Sequence, residues 1–283
     1  MNALYWSVRR ELWENRSVYL APVGGVCIVL VGFFAGLFRL SERIRAAQAL
    51  GPDDVRAAVE LPFVVAAIVI MGAEIVAAIF YSLDAFYGER RDRSVLFWKS
   101  MPVSDLTTVL AKASVPILLL PLVAFAATVA TQGVMLLVSS VVLPARGVSA
   151  SILWRDLPFS DVVWINFKHL VAFHGLWYAP LYAWLLLVSA WATRVPFLWA
   201  VLPPLAIGVI ERLTFNSSHF SMLLQTYFFG SSDDMSTSHA MTMDMLSISL
   251  GALLVRPAFW AGVAVSALFL FGAVRLRRSQ GVM

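Results

Sequence analysis

A carboxyl group in the middle of an apolar run is the first candidate for chemistry in this sequence. Glu74 lies within IVIMGAEIVAAIF, where no other residue is charged. An ionisable group at the depth of a bilayer is costly, so its side chain must face a cavity, a partner or the interior of a helix bundle. Two interpretations stay open, a structural hydrogen bond across a helix or dimer contact and a place on a substrate or proton path.

A second candidate is the methionine-rich segment MSTSHAMTMDM, which lies toward the C-terminal end of the chain. Thioether and imidazole groups are soft donors that suit Cu(I). Methionine also packs adaptably against irregular apolar surfaces, which explains such a segment without a metal. We therefore predict no metal site, with Cu(I) binding as the alternative. The residues that would bind copper are Met235, His239, Met241, Met243 and Met245.

Sequence signatures of enzymes are absent. The phosphate-binding loop GxxxxGK[ST] does not occur, and neither does the zinc-protease signature HExxH. His169 and His174 are five residues apart, so they do not share a helix face, and no carboxylate lies beside them at ligand spacing. No Ser or Cys is placed with a base as a nucleophile would be. We predict that this chain is not an enzyme, binds no cofactor and does not hydrolyse ATP itself.

A charged segment, FYGERRDRSVLFWKSMPVSD, separates two apolar runs. Glu89 and Arg93 stand four residues apart, in the order that favours an ion pair on a helix. Arginine together with aromatic residues is typical of the centres of protein interfaces. We predict that the segment docks against another protein, with a solvated loop as the alternative. The candidate docking residues are Tyr87, Glu89, Arg90, Arg91, Arg93, Trp98 and Pro102.

The elements that position these residues are predicted to be membrane-spanning helices. Of the 283 residues, 60% are hydrophobic and 13% are charged, whereas soluble domains have about 45–50% and about 25%. A span needs about 20 mostly apolar residues, and no alternating β-barrel pattern occurs. We predict an all-α integral membrane protein whose single transmembrane domain covers residues 1–283. The six predicted spans are 18–38, 61–83, 109–142, 169–193, 196–212 and 257–275.

Two segments outside the spans have helical patterns of their own. Residues 1–17 carry apolar residues at helical spacing, which predicts an amphipathic elbow helix in the membrane interface. Residues 214–256 contain apolar stretches that are too short to cross, which predicts re-entrant helices between spans five and six. The segment GPDDVRAAVE predicts a short outer helix that starts at Pro52.

Local signals mark the start and the course of the third span. Ser104 can N-cap a helix that carries Asp105 in its first turn. The apolar run that follows is too long for a straight crossing, because a helix rises about 1.5 Å per residue. Pro116 and Pro121 therefore predict a bend in this helix.

The distribution of Lys and Arg predicts the orientation of the chain. Dense basic clusters around Arg90 and Arg277 favour a cytoplasmic N-terminus and a cytoplasmic C-terminus, which an even number of spans allows. The loop 84–105 is then cytoplasmic, and the segment 214–256 lies outside. The net charge of +4 follows from this topology and from contact with anionic lipid, so we predict no binding of nucleic acid.

The stretch YGERRDRSVLFWKSMPVSDLTTVLAK resembles the cytoplasmic loop of ABC-2 type transporter permeases. Those proteins carry an acidic–Arg segment after span two, then a Pro-Val-Ser-like element, then a Lys inside span three. The wider layout, with an elbow helix, six spans and re-entrant helices between spans five and six, also resembles that family. The corresponding residues here are Glu89, Arg90, Pro102, Val103, Ser104 and Lys112.

This resemblance implies a function. The chain would be the permease subunit of an ATP-driven exporter in a bacterial inner membrane, with residues 84–105 as the coupling loop. It would pair with a second permease copy, as a homodimer, and with two copies of a separate ATPase subunit that binds ATP and Mg²⁺. Glu74 is the candidate for the translocation path. The alternatives are a membrane binding or assembly factor without transport, an intramembrane enzyme, and a permease for copper or other ions.

Overall fold

Helices make up nearly all of the structure. A computed structural model of the chain describes residues 3–92, 103–229 and 254–279. Of these residues 89% are helical, and no β-strand occurs among them. The predicted all-α class is confirmed for this part of the chain.

The helices are numbered here in chain order, and two π-helical segments interrupt them. The α-helices are α1 (Ala3–Glu14), α2 (Ser17–Gln48), α3 (Pro52–Asp84), α4 (Tyr87–Arg91), α5 (Asp105–Ser114), α6 (Leu120–Ala145), α7 (Ser151–Asp156), α8 (Phe159–Phe167), α9 (Ala179–Trp191), α10 (Pro196–Phe215), α11 (His219–Phe229) and α12 (Pro257–Ser279). The π-helical segments are π1 (Val115–Leu119) and π2 (Lys168–Trp177).

Several of these helices are long and apolar enough to cross a membrane. Within the described ranges, the five candidate spans are Ser17–Gln48, Pro52–Arg91, Asp105–Ala145, Pro196–Phe215 and Pro257–Ser279. A sixth arises if the bent pair Phe159–Trp177 and Ala179–Trp191 is counted as one span. These helices cover the apolar runs predicted from the sequence. The chain is therefore a multi-pass helical membrane protein.

The predicted N-cap of the third span is confirmed, and a π-helical segment lies where the bend was predicted. Ser104 has extended backbone angles, and its hydroxyl oxygen accepts a hydrogen bond from the backbone N–H of Thr107 at 3.1 Å, as an N-cap residue does. The regular helix is interrupted at π1, which contains Pro116 and ends shortly before Pro121. A proline removes one backbone donor, and the wider π turn accommodates the missing hydrogen bond.

The two helices that flank the turn between α2 and α3 are longer than predicted. GPDDVRAAVE was expected to form a separate short helix, but its residues from Pro52 onward are the first turns of α3. Helix α2 likewise continues to Gln48, because the residues after its apolar run are good helix formers without Gly or Pro. A helix of 32 residues reaches about 48 Å, so α2 projects beyond a hydrocarbon layer of about 30 Å.

The described helices fall into two compact units. Unit 2 consists of residues 16–77 and 119–171. Its core contains Phe63, Ile70 and Met135 within the apolar runs, and it continues to Ile44 and Leu153 at the projecting helix ends. Apolar packing therefore orders the projecting turns as well as the spans.

A pair of amide side chains is buried inside unit 2. Gln132 Nε2 donates a hydrogen bond to the backbone carbonyl of Phe63 at 3.0 Å, and Asn166 Nδ2 donates to Gln132 Oε1 at 2.6 Å. We call Gln132 and Asn166 the amide pair. It joins α3, α6 and α8 without any net charge, which suits a low-dielectric interior.

Unit 1 consists of residues 1–15, 78–118 and 172–283. In its described part, α12 packs along α9, and α1 packs on α5. Helix α11 is attached through Tyr227, whose ring stacks on that of Trp177 with 4.8 Å between centroids. The two residues also exchange hydrogen bonds, because the indole N–H donates to the Tyr227 carbonyl and the Tyr227 hydroxyl donates to the Trp177 carbonyl. Burial raises the pKa of Tyr227 to about 12.

Candidate functional site

Helix α4 carries four of the predicted docking residues, and the C-terminus of α9 fixes it in place. Ser189 Oγ accepts hydrogen bonds from the backbone N–H groups of Phe86 at 3.0 Å and of Tyr87 at 3.1 Å. In return, the Arg90 guanidinium donates to three carbonyl oxygens at the end of α9. Those carbonyls have no partner inside their own helix, because α9 ends there. The two helices therefore cap each other.

Charged side chains from four helices converge beside α4. They belong to α1, α4, α5 and α12, which are far apart in the chain. Three of the side chains are cations and three are anions, so their charges balance. We call this group the ionic cluster, and its members are Arg10, Glu11, Glu89, Asp105, Lys112 and Arg277.

Lys112 is the central cation of the ionic cluster. Its ammonium nitrogen lies 3.0 Å from Glu11 Oε1 and 3.1 Å from Glu89 Oε1. The side chain is only 4% exposed, and a buried ammonium group is stable only when it is paired. The Tyr81 hydroxyl donates to the second oxygen of Glu11 at 2.8 Å, which satisfies the rest of that carboxylate. The position of Lys112 therefore depends on α1, α3 and α4 together.

Glu89 connects this lysine to two arginines. Its Oε2 atom accepts a hydrogen bond from Arg277 at 2.9 Å, and its Oε1 atom lies 3.6 Å from Arg10. Arg277 also donates to Asp105 at 3.0 Å, in the first turn of α5. Arg10 donates to Glu11 at 2.8 Å. The carboxylates are thus shared between cations rather than paired one to one.

Burial and charge act in opposite directions on the two acids of α1. Burial by itself raises the pKa of Glu11, but the attraction of Lys112 and Arg10 outweighs it, so the pKa of Glu11 is lowered. Glu14 lies one turn nearer the end of the helix. Burial raises the pKa of Glu14 despite the attraction of Arg10. Glu11 is therefore ionised at neutral pH, as the charge balance of the cluster requires.

The ring of Phe86 packs against two cations of the cluster. The Lys112 nitrogen lies 5.5 Å from the ring centroid, and the central guanidinium carbon of Arg277 lies 5.7 Å from it. Phe86 itself is buried. A cation near an aromatic face is attracted by the ring quadrupole, and the effect is larger where water is excluded. The Phe86 ring therefore covers one side of the cluster and also stabilises its cations.

The orientation of α1 differs from a simple amphipathic pattern. Its buried residues are Ser7 and Glu11, which lie on one face four residues apart. The aromatic residues Tyr5, Trp6 and Trp13 are exposed instead. The helix thus presents its polar side to the protein and its aromatic side outward.

The predicted docking residues of α4 have different surroundings. Glu89 is buried in the ionic cluster, Arg90 caps α9, and Tyr87 is half-buried with Arg91 above its ring. Arg91 is exposed and lies 3.1 Å from the exposed Asp92. The docking role of these residues stays a prediction. Arg91 is the most exposed charged side chain of α4, so a partner that docks on α4 would meet it first.

Other predicted site residues lie elsewhere. Glu74 is fully buried on α3 within unit 2, and burial is common to its structural and path interpretations. Three docking residues and the five methionine-segment residues lie outside the described parts of the chain. Those residues are Arg93, Trp98, Pro102, Met235, His239, Met241, Met243 and Met245.

Sequence reasoning missed most members of the ionic cluster as site residues. Only Glu89 and, through the resemblance, Lys112 were selected. Glu11 had a usable signal, because Ser7 and Glu11 form a polar stripe on an otherwise aromatic helix. Asp105 and Arg277 were explained by the helix dipole and by topology, and nothing in the sequence predicted that they pair with each other.

The chemistry available to this site is electrostatic. Among residues 3–92, 103–229 and 254–279, no group of three or more His, Cys, Asp or Glu residues could hold a metal ion. The ion pairs are shared between several residues, so the cluster joins α1, α4, α5 and α12 through charge.

Comparisons with protein families, with curated proteins and with solved structures gave no match.

Proposed function

We propose that this chain is the permease subunit of an ABC-2 type exporter, which works with a separate ATPase subunit. A multi-pass helical membrane protein is the class that such a subunit requires. The resemblance of residues 87–112 to the cytoplasmic loop of these permeases supports the particular family.

The observation that carries the proposal is the contact between Glu89 and Lys112. These residues correspond to two separate positions of the resemblance, and their charged atoms lie 3.1 Å apart in a buried site. Helix α4 is thereby joined to α5, the start of a candidate span. A force applied to α4 would reach that span through a paired, buried charge, which is how a coupling helix must work.

The exposed side of α4 is the proposed contact with the ATPase. Asp84, Arg91 and Asp92 present 59%, 58% and 62% of their side chains to the surroundings. Glu89 and Arg90 face inward, so we assign them to positioning α4 rather than to touching the partner. Charged groups at the rim of an interface steer association and specify the partner.

The remaining architecture follows the same proposal. Helix α1 serves as the elbow in the membrane interface, and α11 belongs to the re-entrant segment between spans five and six. The bent pair Phe159–Trp177 and Ala179–Trp191 supplies the sixth span. Both termini are cytoplasmic in a bacterial inner membrane, a second copy completes a homodimer, and two ATPase subunits bind ATP and Mg²⁺. Glu74 lies on the translocation path.

Co-purification tests the proposal. The tagged chain, solubilised from the membranes of its source cells, should bring down a protein that carries a GxxxxGK[ST] loop and hydrolyses ATP. Arg91→Glu should reduce the yield of that protein by about tenfold or more, because like charges then meet at the contact. Arg56→Glu is the matched control, since Arg56 is equally exposed and lies far from α4 in the chain.

Two outcomes of the co-purification would contradict the proposal. If no ATP-binding protein accompanies the wild-type chain, the exporter assignment is wrong and a membrane assembly factor becomes the better interpretation. If such a protein is present and both charge reversals leave its yield unchanged, α4 is not the contact.

A further inference from the structure

We propose that a groove between α2 and α3 binds one acyl chain of an anionic phospholipid and holds the lipid phosphate at Arg43. The groove lies wholly within unit 2 and has a volume of about 340 Å³. Ligand pockets in proteins start at about 300 Å³. This inference does not depend on the proposed exporter function.

The lining of the groove is apolar apart from one residue. Its floor is formed by buried side chains such as Phe33, Leu37 and Met135. Its walls are exposed aliphatic side chains, among them Ile28 and Leu61. Arg43 is the only charged residue that lines it. Such a surface can pack against a hydrocarbon chain, and apart from Arg43 it has no side chain that would hydrogen-bond a polar solute.

The dimensions of the groove favour an acyl chain. The apolar lining of α2 runs from Ile28 to Leu40, which is about 18 Å along a helix and close to one leaflet of about 15 Å. The groove therefore spans the depth that an acyl chain of one leaflet occupies.

Arg43 is placed to bind the phosphate of the same lipid. It lies one turn beyond Leu40, past the apolar run and therefore at the level of the headgroups. No carboxylate in the described residues forms an ion pair with it. An arginine at the end of an apolar groove suits a phosphodiester, because its planar fork binds phosphate oxygens bidentately.

The same arginine argues against a second copy of the chain as the occupant. A symmetric pair whose axis is parallel to the membrane normal brings the same face of both copies together at the same depth. The two Arg43 side chains would then face each other as like charges at one level, without a counterion. A lipid phosphate supplies the missing negative charge.

Two glycines in the groove permit a clean test. A Cβ atom at Gly32 or Gly36 would meet no atom within 4 Å, so a larger side chain fits the helix and extends only into the groove. Gly24 lies on the same helix, is equally open and does not line the groove. Gly24→Leu is thus a matched control for Gly32→Leu and Gly36→Leu.

The experiment measures lipid binding to the full-length chain, freed of lipid in detergent, by native mass spectrometry. Phosphatidylglycerol and phosphatidylcholine with identical chains are titrated separately. We expect one phosphatidylglycerol to bind about fivefold more tightly than phosphatidylcholine, the effect of one basic residue on an anionic lipid. Gly32→Leu and Gly36→Leu should weaken both lipids by about tenfold or more, because two or more methylenes lose their contact. Gly24→Leu should bind like the wild type.

Charge is tested separately. Arg43→Gln should weaken phosphatidylglycerol binding by about fivefold and phosphatidylcholine binding by less, because the choline cation already offsets the phosphate charge of that lipid. Arg39→Gln, an exposed arginine on the same helix outside the groove, should keep the preference for phosphatidylglycerol. The proposal is overturned if Gly24→Leu weakens binding as much as Gly32→Leu, or if Arg43→Gln keeps the full preference for phosphatidylglycerol. It is also overturned if Gly32→Leu leaves lipid binding intact and instead converts a dimer to a monomer in size-exclusion chromatography with light scattering.

Discussion

The ionic cluster of unit 1 and the amide pair of unit 2 both connect helices, but they use different chemistry. Both join three or more helices through buried polar groups. The amide pair uses two neutral hydrogen bonds with one donor for each acceptor. In the ionic cluster, Glu89 alone is approached by Arg10, Lys112 and Arg277.

The two groups differ in how far they depend on charge. Desolvation makes a buried charge costly, so such a cluster is stable only when every member is paired. In unit 1 this desolvation cost arises beside α4, the helix with the exposed charges. Unit 2 contains the apolar core and the groove, and the hydrogen bonds of its amide pair are neutral. The comparison predicts that unit 1 is far more sensitive to changes of charge.

The largest effect is expected for Lys112→Met. The substitution leaves the Glu11 and Glu89 carboxylates buried without their central cation, which should lower the free energy of unfolding by about 3–5 kcal/mol. Denaturant unfolding in detergent measures the change. Lys168→Met is the control, because Lys168 is half-buried and has no ion pair among the described residues, and it should change stability far less. Equal effects of the two substitutions would contradict the account.

Removal of the opposite charge should partly repair that loss. In the double variant Glu11→Gln with Lys112→Met, one uncompensated carboxylate is gone, so the combined loss should be smaller than the sum of the single losses by about 0.5–3 kcal/mol. A double-mutant cycle on the same unfolding measurement gives this coupling energy. Strict additivity would show that the two residues do not share the buried site.

A smaller effect is expected from the amide pair. Gln132→Met leaves the Asn166 amide without its acceptor and removes the second hydrogen bond to the Phe63 carbonyl, which should cost about 1–3 kcal/mol, the penalty for a neutral group left unsatisfied. Gln48→Met, at the exposed end of α2, is the matched control. A loss as large as that of Lys112→Met would remove the distinction between the two units.

Acidification should act on unit 1 through Glu11. Because its folded pKa is lowered from 4.5, Glu11 contributes stability that is complete above its unfolded pKa and is lost as the pH falls through the folded value. Thermal unfolding followed from pH 6 to about pH 3 should therefore show a decrease below about 4.5. Glu11→Gln should flatten that decrease. Glu14, whose pKa is raised, acts in the opposite sense. An identical acid response in the variant would contradict the assignment.

The smallest effect is expected at an exposed pair. Arg56 and Glu60 stand four residues apart on α3, with 2.7 Å between the charged atoms, and Arg56 is 64% exposed. Arg56→Ala should change the free energy of unfolding by only about 0.3–0.5 kcal/mol, because water and salt screen such pairs. If Arg56→Ala lowers the free energy of unfolding by more than about 1 kcal/mol, then this exposed pair contributes as a buried pair does, and the contrast with the ionic cluster is wrong.

Local features of the fold were predictable from the sequence. Apolar runs predicted the positions of the spans, because a bilayer imposes length and composition on each crossing. The Ser104 cap and the interruption at Pro116 were also predictable, since each depends on a few neighbouring residues. The continuation of α2 and α3 beyond their spans was missed, because hydropathy marks where the membrane ends and not where a helix ends.

The candidate site was predictable only in part. Glu89 was selected from its charged segment, but Arg277 reaches it from the last described helix of the chain. Which distant charges meet is decided by packing, and a single sequence carries no signal for that. The inward position of Glu11 was missed because it also depends on packing. The sequence predicted only an amphipathic helix in the membrane interface, whereas Glu11 is buried against the protein.

Site-directed crosslinking from α4 tests the central proposal most directly. A photoreactive residue is introduced in place of Arg91 and, as the control, in place of the equally exposed Arg56. The crosslinked products are then identified in source-cell membranes. The account predicts a crosslink from position 91 to a protein with an ATP-binding loop and none from position 56. The absence of that product at position 91, or its equal formation at both positions, would contradict it.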